Sequence, residues 1–195
     1  MRVLFMGTGE IALPTFKRLA DSMTLVGLVT QPDRPVGRRS KPQPPRIKEE
    51  ALARSIPVLQ PEDVRRESEI SAIAVLDPEL IVVMAYGQIL TKALLAVPSL
   101  GCFNIHASLL PRHRGASCIQ AAIAAGDRES GISIIKMVER LDAGDVVMAE
   151  RIGLSADETG GSLHDRLGEL APELTVVCIE KLAANTLTGK PQDHE

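Results

Sequence analysis

The first thirty residues constrain the fold most, because short apolar runs alternate there with a helical pattern. Val3–Met6 is an apolar run of the length of a strand buried on both faces, and a glycine follows it. Ile11–Ala20 carries apolar residues at helical spacing, with Pro14 suited to the first turn. Leu25–Val29 is a second apolar run. Strand, turn, helix and strand predict a βαβ unit, in which the two strands are parallel.

Later segments extend this pattern over a chain of 195 residues, which is about one domain. Leu80–Met84 is the most hydrophobic run and predicts a central parallel strand. Thr159–Ala184 repeats leucines at helical spacing and predicts a long amphipathic helix lying on the sheet. We therefore predict an α/β fold, with a Rossmann-like, open, mostly parallel twisted sheet and helices on both of its faces.

Composition narrows the class of function. The net charge is −3 and only 2% of residues are aromatic, so any nucleic-acid binding must come from a local patch and not from base stacking. The three cysteines are widely spaced, which fits a reducing compartment and predicts no metal site. The sequence shows no signal-peptide pattern and no apolar run of the ~20 residues that span a bilayer. We expect a cytoplasmic protein that binds neither metal nor membrane.

The turn Gly7-Thr8-Gly9 supports a rival hypothesis. With Ala12 it matches a loose dinucleotide-binding fingerprint, which also needs an acidic residue at the end of the second strand. Here that strand ends in Thr30-Gln31-Pro32, and Asp33 comes only after the proline. We favour close packing of strand and helix as the reason for the glycines, and an NAD-dependent oxidoreductase stays an alternative.

A proline-rich basic segment follows at Gln31–Pro45. Its five prolines exclude helix and predict an exposed, extended loop. The loop is either a solvated surface loop or an arm that binds phosphates, and the residues alone do not choose between them. A non-catalytic RNA-binding module is therefore a further alternative. The basic residues within the loop are Arg34, Arg38, Arg39 and Lys41.

The stretch from Gly101 to Gly115 carries the strongest chemical signal. It begins as a strand, so Asn104 and His106 lie on one face, and it then enters a loop containing a proline and a glycine. Ligands of open parallel sheets bind at the carboxyl ends of the strands. A carboxylate that orients the imidazole could come from Asp142 or from Asp145, and their spacing does not decide which.

Asn104-x-His106, followed by Ser-Leu-Leu-Pro and Arg-Gly, resembles the motif of enzymes that use 10-formyltetrahydrofolate to formylate an amine. The resemblance implies that Asn104 and His106 are catalytic together with Asp142, which lies in a matching Leu-Asp-x-Gly context, and that no metal takes part. It implies a folate site formed by two loops. The residues of that expected site are Ser108, Leu109, Leu110, Pro111, Gln88, Ile89 and Leu90.

These residue types suit acyl transfer between nitrogens. The attacking amine turns the formyl oxygen into an oxyanion, and the amide of Asn104 could donate a hydrogen bond to it. His106 could carry the proton of the amine, because an unperturbed imidazole titrates near neutral pH. An ionised Asp142 would favour the charged imidazolium and fix its orientation.

Within this family, the basic loop from Gln31 and the run Arg112–Ala116 resemble the branch that formylates initiator methionyl-tRNA. The resemblance implies contacts of the basic loop residues with tRNA. We expect the protein to be a monomer. Enzymes that formylate glycinamide ribonucleotide or sugar nucleotides share the main motif and stay alternatives. We expect a catalytic domain over residues 1–187, and a polar, frayed tail or start of an interdomain linker over 188–195. We expect the carboxyl-terminal barrel domain of that branch to be absent from this chain.

Overall fold

We describe residues 1–36 and 41–193 of a computed structural model of the chain. The strands are β1 (Arg2–Gly7), β2 (Thr24–Val29), β3 (Arg34–Val36), β4 (Lys41–Gln43), β5 (Val58–Leu59), β6 (Leu80–Met84), β7 (Cys102–His106), β8 (Glu129–Lys136) and β9 (Val146–Gly153). The α-helices are α1 (Leu13–Ser22), α2 (Arg46–Ala53), α3 (Glu67–Val75), α4 (Lys92–Leu95), α5 (Cys118–Ala124) and α6 (Gly160–Ala183).

Seven strands form one sheet in the order β5-β2-β1-β6-β7-β8-β9. The pairs from β5 to β7 are parallel, whereas β8 and β9 are antiparallel additions at one edge. All five residues of β6 are buried, as the continuous apolar run predicts for a central strand covered on both faces. The prediction of a Rossmann-like, mostly parallel sheet is confirmed.

Helices cover both faces of the sheet. Because side chains alternate along a strand, Val3 and Phe5 pack into one core and Leu4 and Met6 into the other. The first core is closed by α1, α2, α5 and α6, and the second by α3 and α4. The longest of these helices, α6, has 24 residues, and no described helix is both long enough and apolar enough to cross a membrane.

Two predicted helices are wrong in extent. The run Pro61-Glu62-Asp63 predicts the start of a helix, since acidic residues are favoured in a first turn, but α3 begins only at Glu67. Asp63 instead accepts a hydrogen bond from the Arg65 backbone in a local turn (3.1 Å). The sequence also predicts a helix over Gln88–Ala96, of which only the four residues of α4 are helical. A left-handed backbone at Gly87 (φ +90°) stops a helix from following directly on β6.

The proline-rich segment is a two-stranded ribbon where a loop was predicted. Pro35 of β3 faces Pro42 of β4 in an antiparallel register. Proline fits such an isolated ribbon because its fixed φ is compatible with extended backbone and no inner strand requires its amide. Arg34 is exposed, as predicted. Arg38 and Arg39 lie outside the described residues.

The expected frayed tail is docked over its described part. Lys190 pairs with Val146 at the start of β9 through two backbone hydrogen bonds of 2.8 and 2.9 Å. Gln192 is buried, although its neighbours Pro191 and Asp193 are exposed. The prediction of fraying was wrong because a polar sequence does not reveal that a chain end can extend a sheet edge.

Candidate active site

Asn104, His106 and Asp142 meet beside a cavity of about 480 Å³. The first two project from the same face of β7, as strand alternation predicts. The loop between β8 and β9 folds back over β7 and brings Asp142 to them. The ends of β6 and β7, this loop and the first turns of α5 line the cavity.

The carboxylate of Asp142 is fixed by two hydrogen bonds. Its Oδ1 accepts from Asn104 Nδ2 (3.1 Å), and its Oδ2 accepts from the backbone amide of Gly115 (2.8 Å). The same Oδ2 lies 3.7 Å from Nδ1 of His106, and both side chains are nearly buried. The structure therefore joins Asp142, and not Asp145, to the imidazole, since Asp145 is exposed and lies against Gly189.

The imidazole of His106 is oriented by a backbone carbonyl. Its Nε2 lies 2.9 Å from the carbonyl oxygen of His113. A carbonyl only accepts hydrogen bonds, so Nε2 carries the proton and Nδ1 faces Asp142. In this tautomer Nδ1 has no hydrogen and carries the lone pair of the imidazole.

The backbone around Asp142 takes an unusual path. Asp142 has a left-handed conformation (φ +48°), which costs a residue with a side chain about 1–2 kcal/mol. At Gly144 a Cβ would lie 1.7 Å from the carbonyl oxygen of Lys136, so only glycine allows the loop to pass this close to β8.

The loop that carries His113 is anchored at several points. Ser108 Oγ donates to the carbonyl of Arg112 (2.7 Å), and Ser133 Oγ donates to the carbonyl of Ser108 (2.7 Å). Asp127 binds the side chains of both His113 (2.6 Å) and Arg112 (2.7 Å). The hydrogen bond from His113, aided by the charge of Arg112, lowers the pKa of the Asp127 carboxyl.

The expected folate residues divide into two groups. Gln88, Ile89 and Leu90 line the cavity, with Ile89 65% exposed and Leu90 buried. The side-chain amide of Gln88 is bound to the backbone of the preceding loop, including Val64 N at 2.8 Å, so it holds that loop in place. By contrast, the cavity lining contains none of the four residues Ser108, Leu109, Leu110 and Pro111.

Two exposed apolar side chains of the β8–β9 loop also line the cavity. Val138 is 47% exposed and Leu141 is 60% exposed, and both line the cavity. Exposed aliphatic side chains around a concave site are a typical surface for a flat organic ring. Within residues 1–36 and 41–193, no cluster of three or more His, Cys, Asp or Glu could hold a metal ion.

The glycine turn after β1 is not arranged as a phosphate cradle. The amides of Thr8 and Gly9 both point at the carbonyl oxygen of Ala85, at 3.2 and 3.3 Å. The Thr8 hydroxyl accepts a hydrogen bond from the backbone amide of Gln31. Because the turn's donors are bound to neighbouring backbone, the geometry favours close packing over dinucleotide binding.

Sequence reasoning missed three partners of the site. The carbonyl of His113 and the amide of Gly115 are backbone groups, and the type of a residue does not indicate what its backbone will contact. Gln192 binds the backbone of Asp142 from the segment predicted to be frayed. Only the burial of Gln192 among exposed neighbours distinguishes it, and burial is a property of the folded chain.

A comparison with known families assigns the class. The family model described as Formyl transferase matches residues 1–179, and the chain belongs to the formyl transferase family. Among named relatives, the chain is 50% identical to methionyl-tRNA formyltransferase of Akkermansia muciniphila over 96% of its length. It is 49% identical to methionyl-tRNA formyltransferase of Marinobacter nauticus over 100% of its length. The chain covers only 60% and 63% of those two relatives, respectively.

Solved structures support the fold. Phosphoribosylglycinamide formyltransferase from Bacillus halodurans matches with a TM-score of 0.77 and 20% identity, over 93% of this chain and 96% of that one. Glycinamide ribonucleotide transformylase 1 from Symbiobacterium toebii matches with a TM-score of 0.77 and 16% identity, over 98% and 93%. At these identities the likeness concerns the architecture alone.

Proposed function

We propose that this chain transfers a formyl group from 10-formyltetrahydrofolate to the α-amino group of methionine on initiator methionyl-tRNA. Membership of the formyl transferase family supports the reaction class, and relatives named methionyl-tRNA formyltransferase at about half identity support the acceptor. The observation that carries the proposal is the convergence of Asn104, His106 and Asp142 at one cavity.

The three side chains have complementary roles in this proposal. Asn104 Nδ2 carries two N–H groups, and one of them is used on Asp142. The other is free to donate to an oxygen that gains negative charge in the cavity. His106 Nδ1 takes up the proton of the attacking amine, and Asp142 stabilises the resulting imidazolium.

The co-substrate fits the apolar side of the cavity. Ile89, Val138 and Leu141 expose aliphatic surface at its rim. Such a rim suits a flat heterocycle, and 10-formyltetrahydrofolate would supply the activated formyl carbon. The predicted contact of Ser108–Pro111 with folate stays a prediction, because that stretch lies outside the cavity lining.

The acceptor is the part of the proposal that needs the most direct test. Arg34, Arg38, Arg39 and Lys41 are proposed to contact tRNA phosphates, and Arg34 is exposed on the ribbon. Because the chain spans about 60% of the length of the relatives, its affinity for tRNA is a separate question from its chemistry.

The test supplies 10-formyltetrahydrofolate and, in separate reactions, methionyl-tRNA, glycinamide ribonucleotide and an amino sugar nucleotide. We expect formyl transfer to methionyl-tRNA in preference to the others. Asn104→Ala should lower turnover by ~10²–10³, because it removes the proposed oxyanion donor. Asn185→Gly, at an exposed position after α6 whose left-handed backbone (φ +55°) glycine accepts, is the control and should retain activity. Wild-type turnover in Asn104→Ala would remove the basis of the proposal.

A further inference from the structure

One side-chain amide connects the two loops of the site. Gln192 Oε1 accepts hydrogen bonds from Arg114 Nη2 (2.8 Å) and Nε (3.2 Å). Gln192 Nε2 donates to the carbonyl oxygens of Asp142 (2.8 Å) and Gly144 (2.7 Å). These contacts use both N–H groups and the oxygen of the amide, and the residue is only 7% exposed.

Both loops that Gln192 connects bear on the carboxylate of Asp142: one loop carries it, and the other donates a hydrogen bond to it. Arg114 directly precedes Gly115, whose amide donates to Asp142 Oδ2 (2.8 Å). From the other side, Gln192 binds the backbone of Asp142 itself, in its left-handed conformation. Unfavourable backbone conformations persist where surrounding contacts hold them in place, and Gln192 supplies such a contact.

The segment that carries Gln192 is itself fastened to the sheet. Lys190 pairs with Val146 through backbone groups alone, and its side chain is exposed. At Gly189 a Cβ would lie 2.9 Å from the Cβ of Asp145, so the backbone passes close to the end of the Asp142 loop. Strand-like backbone pairing two residues earlier therefore holds the segment that carries Gln192 against the sheet.

We propose that Gln192 is a positioning residue, which holds Asp142 in its geometry with Asn104 and His106 by bracing both loops. This inference rests on the function proposed above, because it assigns Gln192 to the same reaction. Without the amide, the Asp142 backbone and the Arg114 guanidinium lose their shared partner. The carboxylate then moves relative to Gly115 N and His106 Nδ1, while the folate side of the cavity is unchanged.

The kinetic test uses the full chain with Gln192→Met and Gln192→Glu. Met keeps the side-chain length without hydrogen bonds, whereas Glu keeps the acceptor for Arg114 and loses both donors. We expect kcat to fall by about 10- to 100-fold in both variants, the range for small misplacement of a reacting group. The KM for 10-formyltetrahydrofolate should stay close to the wild-type value. Lys190→Ala, two residues away and paired only through its backbone, should behave as wild type.

A second measurement does not depend on activity. Hydrogen exchange of the Gly115 amide, followed by NMR, reports whether Asp142 Oδ2 still accepts its hydrogen bond. In both Gln192 variants this amide should exchange about tenfold faster or more, while the amides of β1 and β6 keep their rates. Unchanged exchange at Gly115 in both variants would overturn the positioning role. Absence of formyl transfer by the wild-type chain would instead contradict the proposed function, and the exchange experiment would still test the link to Gln192.

Discussion

At the scale of single residues, the site depends on how closely the Asp142 loop approaches β8. Gly144 is the point of closest approach, because a Cβ there would lie 1.7 Å from the Lys136 carbonyl oxygen and 2.9 Å from its carbon. Both atoms belong to the backbone of a paired strand, so neither can move without breaking the sheet.

Gly144→Ala should therefore destabilise the protein by about 3 kcal/mol, at the upper end of the usual cost of overpacking. Urea denaturation followed by circular dichroism measures the change. Gly153→Ala is the matched control, because no atom lies within 4 Å of its added Cβ, and it should change stability by less than about 0.5 kcal/mol. Equal denaturation midpoints for Gly144→Ala and the wild type would contradict this path of the loop.

Strand alternation was sufficient to place Asn104 and His106 on one face, and a sequence motif selected Asp142 over Asp145. The remaining contacts of the site could not be predicted. His113 acts through its carbonyl and Gly115 through its amide, and every residue except proline carries both groups. Local sequence determines where side chains of one strand point, but not which backbone atoms a distant loop brings to them.

At the scale of elements, the loop between β7 and α5 is held by Asp127, which follows α5. Asp127 Oδ2 binds His113 Nε2, and Oδ1 binds Arg112 Nη2. The carbonyl of this same His113 orients His106. Asp127 therefore stabilises the conformation of the loop on which the imidazole depends.

Asp127→Asn should lower the free energy of unfolding by about 1–3 kcal/mol at pH 7, the cost of weakening hydrogen bonds to charged groups. The pKa of Asp127 is lowered in the folded state, so its contribution is present above the unfolded pKa and is lost as pH falls. The difference from wild type should thus be fully present well above the unfolded pKa of 3.8 and decrease as the pH falls below that value. Chemical denaturation at several pH values measures it.

Asp165→Asn is the control for this prediction. Asp165 also contacts a histidine, His164, but its side chain is 80% exposed. Exposed ion pairs contribute little to folding stability, so the free energy of unfolding should change by less than about 1 kcal/mol at any pH. If Asp127→Asn changes stability no more than this control does, Asp127 does not hold the loop.

Elements with strong periodicity were predicted well, because β6 and α6 are specified by their own apolar patterns. Elements that depend on contacts with residues distant in the sequence were not predicted well. The helix expected over Gln88–Ala96 yields to an extended loop, since the Gln88 side chain binds backbone groups of residues 61–64. The ribbon of β3 and β4 exists only because its two halves pair, which no local pattern reveals.

At the scale of the whole molecule, stability should decrease in acid. Paired carboxylates on several elements have lowered pKa values in the folded protein. Arg65 lowers the pKa of Asp63 from 3.8 to about 2, and Arg54 and Arg18 lower those of Glu50 and Glu173 from 4.5. Since the unfolded chain then binds more protons than the folded one, stability rises with pH in this range.

The free energy of unfolding should therefore be nearly constant from pH ~5 to ~7 and fall progressively from pH ~4.5 to ~2. Urea denaturation across that series measures the trend. The decrease in the free energy of unfolding should be smaller in 0.5 M NaCl than in low salt, because salt ions screen the exposed ion pairs that contribute to it. A stability that stays level down to pH ~2.5 would contradict the lowered pKa values.

The docking of Gln192 has a consequence for how the protein matures. Gln192 contacts Arg114 across 78 positions of sequence and Asp142 across 50. During synthesis from the amino end, every strand and α-helix of the described residues leaves the ribosome before this glutamine does. The sheet and its helices can thus fold first. The Asp142 loop gains its hydrogen bonds from Gln192 only after residue 192 has been synthesised.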